Sequence, residues 1–256
     1  MVHTLEAACG SYIGVGRIKN EDNLYFNKKH LPQDNKGLKH PIKCSIDTSE
    51  MSVFAVFDGM GGHTAGDMAS LLASEILSDD IKKSEDLVVN EKIFFSEFCK
   101  HANDKIVELS NKLQAVTTGT TVAAISFFQD DVVLCNIGDS KVFRIRESQM
   151  LQISNDHTDE KIMQSMGINK KPVLLQYLGI PEKDMMIDPY ISRGSVKSGD
   201  VFVICSDGVT DALSFAEIFS FIEGSDTPEN AVIRILSEVE LKCGNDNSTI
   251  IIIKVV

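Results

Sequence analysis

VFAVFDGMGGH, residues Val53 to His63, joins a short apolar run to an acidic residue and a glycine-rich turn. The run from Val53 to Phe57 is too short for a normal helix and is rich in β-branched and aromatic residues, which predicts a buried strand. Asp58 follows the strand, and the glycines after it leave the backbone open to close approach by a ligand. The stretch therefore predicts a carboxylate at a strand end, where a metal ion can bind.

Composition and charge exclude several classes of protein. The chain has 256 residues, of which 43% are hydrophobic and 24% charged, and its apolar runs fall short of the ~20 residues of a membrane span. The N-terminal MVHTLEAACG lacks the basic and apolar regions of a signal peptide. Six scattered cysteines without a C-x-x-C pair indicate a reducing cytoplasm and no zinc site. A net charge of −12 argues against nucleic acid as a partner. We therefore expect a cytoplasmic protein with no membrane or nucleic-acid partner.

The order of predicted elements indicates the fold class. In chain order we expect strands at 7–15 and 24–26, a loop or hairpin excursion at 27–50, a helix ending near 78, a helix over 94–113, strands at 122–128, 132–137, 141–145, 150–153 and 201–205, helices capped by Ser214 and Thr227, and a final strand at 248–256. This order is not the regular alternation of a parallel doubly wound sheet, so it favours an α+β fold, an antiparallel β-sandwich flanked by helices. We find no linker, so residues 1–256 are predicted to form a single domain.

Five aspartates occupy equivalent places in this pattern. Asp58, Asp139 and Asp207 follow predicted strands, while Asp22 and Asp246 precede them. The end of one strand and the start of its antiparallel neighbour share an edge of the sheet, so the five carboxylates are expected to gather there. The alternative is that the Asp-Gly pairs are ordinary turn residues.

Gathered carboxylates repel one another and need protons or cations. Oxygen ligands without a matching histidine or cysteine set favour Mg²⁺ or Mn²⁺ over zinc or calcium. Two such ions about 3.5–4 Å apart and bridged by Asp58 would activate a shared water for in-line attack on phosphorus. The Gly59 carbonyl is a further candidate ligand. Arg17 is placed to hold a phosphate, or else it is a surface arginine paired with Glu21 or Asp22. We interpret His63 and His157 as structural histidines.

Eight ordered motifs carry a resemblance to a known family. They are GRIKNED at 16–22, FAVFDGMGGH at 54–63, TGTT at 118–121, NIGDSK at 136–141, NDHT at 155–158, QYLG at 176–179, CSDGVTD at 205–211 and GNDNSTIIII at 244–253. Together they resemble the PPM family, the type 2C metal-dependent protein serine/threonine phosphatases, in its compact bacterial form. The resemblance implies two antiparallel sheets flanked by pairs of helices, with a binuclear Mn/Mg site at one end.

The resemblance also implies roles for single residues. The two central ions would be held by Asp22, Asp58, Asp207, Asp246 and the Gly59 carbonyl. Asp58, Glu21 and Arg17 would have catalytic roles. Glu21 would orient a metal-bound water, and Arg17 would bind the substrate phosphate. Asp139 and Asp207 would hold a third, weaker ion, to which Asp211 is also linked.

Three departures from the family pattern matter. Animal-type members carry a histidine directly after the Asp-Gly pair, proposed as the acid for the leaving group, where this chain has Met60. His63 is only a distant candidate for that role. Lys141 replaces the usual arginine of the GDSR motif, and we expect a weakened structural ion pair there. The flap, residues 158–176, is short, so substrate preference does not carry over from the family.

The resemblance implies a phosphatase that hydrolyses phosphoserine and phosphothreonine with a hydroxide bridging two Mn/Mg ions and without a phosphoenzyme. Its expected partners are phosphorylated proteins and a counteracting Ser/Thr kinase, and a monomer is the default. The alternatives are a catalytically silent binding module on the same fold, a phosphatase for one dedicated phosphoprotein in a partner-switching circuit, and an enzyme for a small phosphoester.

Overall fold

A computed structural model describes residues 1–61, 65–84, 90–115, 117–168 and 170–256. Within them the strands are β1 (Thr4–Tyr12), β2 (Asp22–Tyr25), β3 (Ile42–Asp47), β4 (Ser52–Met60), β5 (Gly119–Thr120), β6 (Val122–Phe128), β7 (Asp131–Ile137), β8 (Lys141–Arg146), β9 (Gln149–Gln152), β10 (Tyr190–Ser195), β11 (Val201–Cys205) and β12 (Ser248–Val255). The helices are α1 (Gly66–Ser84), α2 (Glu91–Leu113), α3 (Glu160–Ser165), α4 (Asp207–Ala212), α5 (Phe215–Glu223) and α6 (Pro228–Leu241).

The strands form two antiparallel sheets. One has the order β3-β1-β12-β11-β8-β9, and the other has the order β10-β7-β6-β4-β2 with β5 beside β4. Their facing sides share a core in which Phe127 lies between Phe54 and Phe202, with ring centroids 6.1 and 5.2 Å apart. The α+β sandwich predicted from the sequence is confirmed.

A pair of helices covers the outer face of each sheet. α1 and α2 pack on the β4 sheet, while α5 and α6 pack on the β12 sheet. The apolar run from Val53 to Phe57 shows why the sheets and helices form these layers. Phe54 and Val56 point into the space between the sheets, whereas Val53, Ala55 and Phe57 point towards α1 and α2. A strand buried on both faces needs apolar residues at every position, as the continuous run in β4 has.

Helix capping follows the sequence signals. The Ser214 hydroxyl accepts a hydrogen bond from the Glu217 backbone N–H and the Glu217 carboxylate accepts one in return, which confirms the predicted capping box of α5. Thr227 caps α6 by accepting from the Asn230 N–H, with Pro228 at the first helical position. Thr64, the predicted cap of α1, lies outside the described residues.

Several predicted boundaries were wrong. The excursion at 27–50 contains β3, and β10 and α4 were not predicted at all. β3 and β10 are sheet-edge strands with largely exposed side chains, so neither shows the apolar pattern that identifies a buried strand. α1 continues to Ser84 instead of ending near 78. Asp58 does not follow its strand but lies within β4, which continues to Met60 because β2 and β5 pair alongside its last residues.

Candidate metal centre

Strand register places the first two predicted acids side by side. Asp22, the first residue of β2, pairs directly with Asp58 of β4. One carboxylate oxygen of Asp22, Oδ2, accepts a hydrogen bond of 2.8 Å from the Ser206 hydroxyl. The other, Oδ1, is buried and has no hydrogen-bond partner among the residues that the structure describes. A buried oxygen without a partner is costly, so this oxygen of Asp22 is available to a ligand such as a cation.

Asp207 belongs to the same acidic group. It is the first residue of α4, directly after β11, and Ser206 occupies the N-cap position. Gly208 permits this arrangement, because a Cβ there would lie 2.1 Å from the Asn247 carbonyl oxygen. The close approach brings the start of α4 against the loop that carries Asp246, the residue before Asn247.

The charge of Asp207 acts on each of the other four aspartates. Burial raises the pKa of Asp58 well above its ordinary value, and the charges of Asp22, Asp207 and Asp139 raise it further. Burial raises the pKa of Asp22 to about 7, with contributions from Asp207 and Asp246. The pKa of Asp139 rises to about 6 through burial and then Asp207. The pKa of Asp246 is raised by the same two causes. The structure therefore brings all five predicted aspartates into one mutually repelling group.

This group fits hard divalent cations. Within the described part of the chain, no three His, Cys, Asp or Glu side chains converge into a preformed ligand set for a single ion. Mg²⁺ and Mn²⁺ sites commonly use few protein ligands and complete their shells with water. The free oxygen of Asp22 and the raised pKa values of its neighbours are the features that a cation would relieve.

Glu21 and Gly59 lie on the side of the group that faces α1. The Gly59 N–H donates to the Glu21 carbonyl oxygen at 3.1 Å. A Cβ on Gly66 would lie 2.6 Å from Glu21 Oε1 and 2.9 Å from the Gly59 carbonyl oxygen. Because Gly66 has no side chain, the start of α1 can approach both groups. Burial, followed by the charge of Asp67, raises the pKa of Glu21.

Arg17 forms an ion pair with Asp246, which is not one of the two partners considered from the sequence. Its Nη2 lies 2.7 Å from Asp246 Oδ1, and its Nε donates to the Asn245 carbonyl oxygen at 2.8 Å. The alternative of a pair with Glu21 or Asp22 is therefore wrong. The Arg17 side chain remains 41% exposed, so part of its guanidinium is accessible to an anion.

Neutral side chains that the sequence did not single out hold the acids in place. Thr121 Oγ1 accepts from the Asp58 N–H at 3.0 Å, and Thr120 Oγ1 donates to the Asp58 carbonyl oxygen at 2.9 Å. Asn247 accepts from the Glu21 N–H at 2.7 Å and donates to the Ile13 and Lys19 carbonyl oxygens. Thr120 and Thr121 lie in the TGTT motif, and Asn247 lies in the GNDN motif. These motifs are the sequence signal that could have identified the three residues.

The structure shows the contacts of the residues that depart from the family pattern, and of His157. Lys141 keeps a largely buried ion pair with Asp156 and also donates to the Asp139 carbonyl oxygen at 3.2 Å. His157 accepts from the Gly138 N–H through Nδ1 at 3.2 Å, and burial lowers its pKa, so it is a neutral residue that holds the turn before Asp139. Met60 pairs with Gly119 of β5. His63 lies outside the described residues.

A lysine of the flap reaches the same acids. Lys171 Nζ lies 3.3 Å from Asp207 Oδ2 and 2.8 Å from Asp211 Oδ2. The sequence does not indicate a role for Lys171, because a lysine between Lys170 and a proline has no local signal of its partner.

Comparison with known proteins agrees with the protein family that the fold and the group of aspartates indicate. A sequence model of the protein phosphatase 2C family matches residues 32–237. The chain belongs to this family, as its motifs predicted.

Two curated relatives are serine/threonine phosphatases. Serine/threonine phosphatase stp of Listeria innocua is 27% identical over 241 residues, which are 88% of this chain and 91% of that protein. Serine/threonine protein phosphatase PstP of Mycobacterium tuberculosis is 27% identical over 98% of this chain, which matches 45% of PstP.

Solved structures share the fold. The PstP catalytic domain in complex with two manganese ions aligns with a TM-score of 0.76 at 22% identity and covers 100% of both chains. The serine/threonine phosphatase of S. agalactiae aligns with a TM-score of 0.80 at 23% identity over 98% of this chain and 99% of that one. Among the described residues, no helix has the length and apolar character to cross a membrane.

Proposed function

We propose that this chain is a metal-dependent protein serine/threonine phosphatase. The observation that carries the proposal is the mutually repelling group of buried and half-buried aspartates that includes Asp207, in which Asp22 Oδ1 has no partner in the described part of the chain. Phosphoproteins are the proposed substrates, with a Ser/Thr kinase acting in the opposite direction. The names of the curated relatives and the two manganese ions of the PstP complex support this assignment.

Each acid has a proposed position in the centre. Asp22, Asp58, Asp207, Asp246 and the Gly59 carbonyl would hold two Mn²⁺ or Mg²⁺ ions, and Asp139 with Asp207 would hold a third, weaker one. When bound, the ions supply charge that stabilises the phosphoryl transition state and lowers the pKa of an attacking water.

The chain's own residues bind and orient the reactants. Arg17 offers part of its guanidinium to the phosphate while its pair with Asp246 fixes the side chain beside the acids. Glu21, whose pKa is raised, accepts a hydrogen bond from the attacking water and fixes its direction. The water attacks phosphorus and gives up a proton to solvent as the bond from phosphorus to the seryl or threonyl oxygen breaks. That oxygen takes up a proton from solvent, so the products are inorganic phosphate and the free hydroxyl of the protein. No enzyme side chain becomes phosphorylated in this scheme.

Metal-restored turnover of a phosphothreonine peptide tests the proposal. The full chain is treated with chelator, freed of it, and assayed with Mn²⁺ or Mg²⁺ added back. We expect no turnover before addition, turnover after it, and at least a hundredfold lower turnover in Asp207→Asn, on the order of losses seen when a transition-state contact is removed. Asp226→Asn, the same change at an exposed residue between α5 and α6, is the matched control. Phosphopeptide binding without turnover under any divalent ion would instead support a silent binding module.

A further inference from the structure

Lys171 of the flap contacts the acidic group. Lys171 places its ammonium between Asp207 Oδ2, at 3.3 Å, and Asp211 Oδ2, at 2.8 Å. The two aspartates are four residues apart on α4, so they lie on the same face of the helix. The ammonium therefore bridges them as a single cation shared by two carboxylates.

The backbone closes the flap at its base. Thr158 and Leu174 form an isolated β-bridge, and the Asp159 N–H donates to the Val173 carbonyl oxygen at 3.2 Å. The Val173 N–H donates to the Asp159 carboxylate at 2.7 Å in return. Within this closed excursion, α3 buries none of its residues. The ion pairs of Lys171 thus link an exposed excursion to α4.

This link is weak enough to be displaced. The Lys171 side chain is 64% exposed, and exposed ion pairs contribute about 0–1 kcal/mol each. Asp207 is only 18% exposed and belongs to the buried acidic group. A divalent cation interacts with such a group about twice as strongly as a single ammonium does at the same distance.

We propose that Lys171 and a divalent cation compete for Asp207, so that cation binding releases the flap from α4. The inference rests on the proposed function, which assigns Asp207 as a metal ligand. The lysine acts as a tether whose attachment depends on the cation content of the site, and it lowers the affinity of the cation that contacts Asp207 and Asp211.

The position of Lys171 gives the release a consequence for the substrate. Lys171 lines an open cavity of about 620 Å³ together with Arg17, Asp211 and Asp246. The tether therefore lines the same cavity as the proposed phosphate contact Arg17. Release of Lys171 removes one of the residues that line this cavity.

Isothermal titration with Mn²⁺ tests the competition without measuring turnover. We expect Lys171→Ala to raise the affinity of the weakest Mn²⁺ site about three- to tenfold, the factor that corresponds to the loss of one or two exposed ion pairs. Lys170→Ala, an adjacent flap residue with the same loss of charge, controls for the general increase in negative potential. Equal affinities in the two variants would overturn the proposal.

Hydrogen exchange of the wild-type chain tests the release directly. Addition of Mn²⁺ should raise deuterium uptake by amides 160–168, and the Lys171→Ala variant should show that higher uptake before any Mn²⁺ is added. Uptake that is unchanged or lower when Mn²⁺ binds the wild type would refute the tether, even if turnover is metal-dependent. Release by Mn²⁺ in a chain that shows no turnover would support the tether while the proposed function fails, so the two failures are distinguishable.

Discussion

Replacing Asp22 by asparagine should stabilise the metal-free protein. Asp22 is 1% exposed, and burial raises its pKa from 3.8 to about 7. One of its oxygens accepts from Ser206, while the other has no partner within the described ranges of the chain. The amide of asparagine has the same shape, can still accept from Ser206, and can direct its N–H₂ towards the neighbouring carboxylates. It therefore removes one repelling charge without leaving a cavity.

The size of the effect follows from the pKa. At about 1.4 kcal/mol for each pH unit by which a pKa moves, ionised Asp22 disfavours folding by about 4 kcal/mol at pH 8. The remaining acids still repel one another, and the new N–H₂ group must find acceptors, so we expect a gain of about 1–3 kcal/mol in the free energy of unfolding. For a chain of this length that gain raises Tm by about 2–10 °C.

Thermal unfolding in chelator at pH 8 and pH 5 measures the gain. The folded-state pKa of Asp22 is raised, so the stability of the wild type falls as pH rises from about 4 to 7, and the advantage of Asp22→Asn should be larger at pH 8 than at pH 5. With saturating Mn²⁺ the order should reverse, because the wild type gains binding free energy that the variant loses. A variant no more stable than the wild type at pH 8 in chelator would refute the reasoning.

Substitutions at three further positions test the supporting structure by urea unfolding in chelator. Gly59→Ala places a Cβ 2.2 Å from the Gly66 carbonyl oxygen and should cost about 1–3 kcal/mol or more. Asn247→Ala removes three hydrogen bonds to backbone groups and should cost about 2–4 kcal/mol, and an unchanged midpoint would contradict the role given to its amide. Lys141→Arg keeps the buried pair with Asp156 and should stay within about 1 kcal/mol of the wild type, whereas Lys141→Met should cost about 3 kcal/mol.

The sequence predicts the buried parts of this fold well because burial leaves a local pattern. β4 is apolar at every position since it packs on both faces, and α6 has its Thr227 cap. Edge strands leave no such pattern. β3 alternates exposed and half-buried side chains, so only its pairing with β1, more than 30 residues earlier in the chain, defines it.

The same limit applies to the candidate site. The five aspartates are recognisable in the sequence because each lies near a strand end and belongs to one of the eight family motifs. The partners of these residues are not recognisable in the sequence, because the contacts join distant parts of the chain. Arg17 binds Asp246 across 229 positions, and Ser206 binds Asp22 across 184. Local spacing contains no information on such pairs, which follow from the order of strands in the two sheets.

The choice of partners explains how Asp22 and Asp58 are held beside other acids without an opposing charge of their own. The backbone of Asp58 is fixed by Thr120 and Thr121, and the carboxylate of Asp22 by Ser206, all of them neutral groups. Basic partners in these places would lower the pKa values and neutralise the group in advance, leaving less for a cation to stabilise. The hydroxyl groups position the acids and leave their repulsion intact. The stability that the metal-free protein loses in this way is the free energy that cation binding can recover.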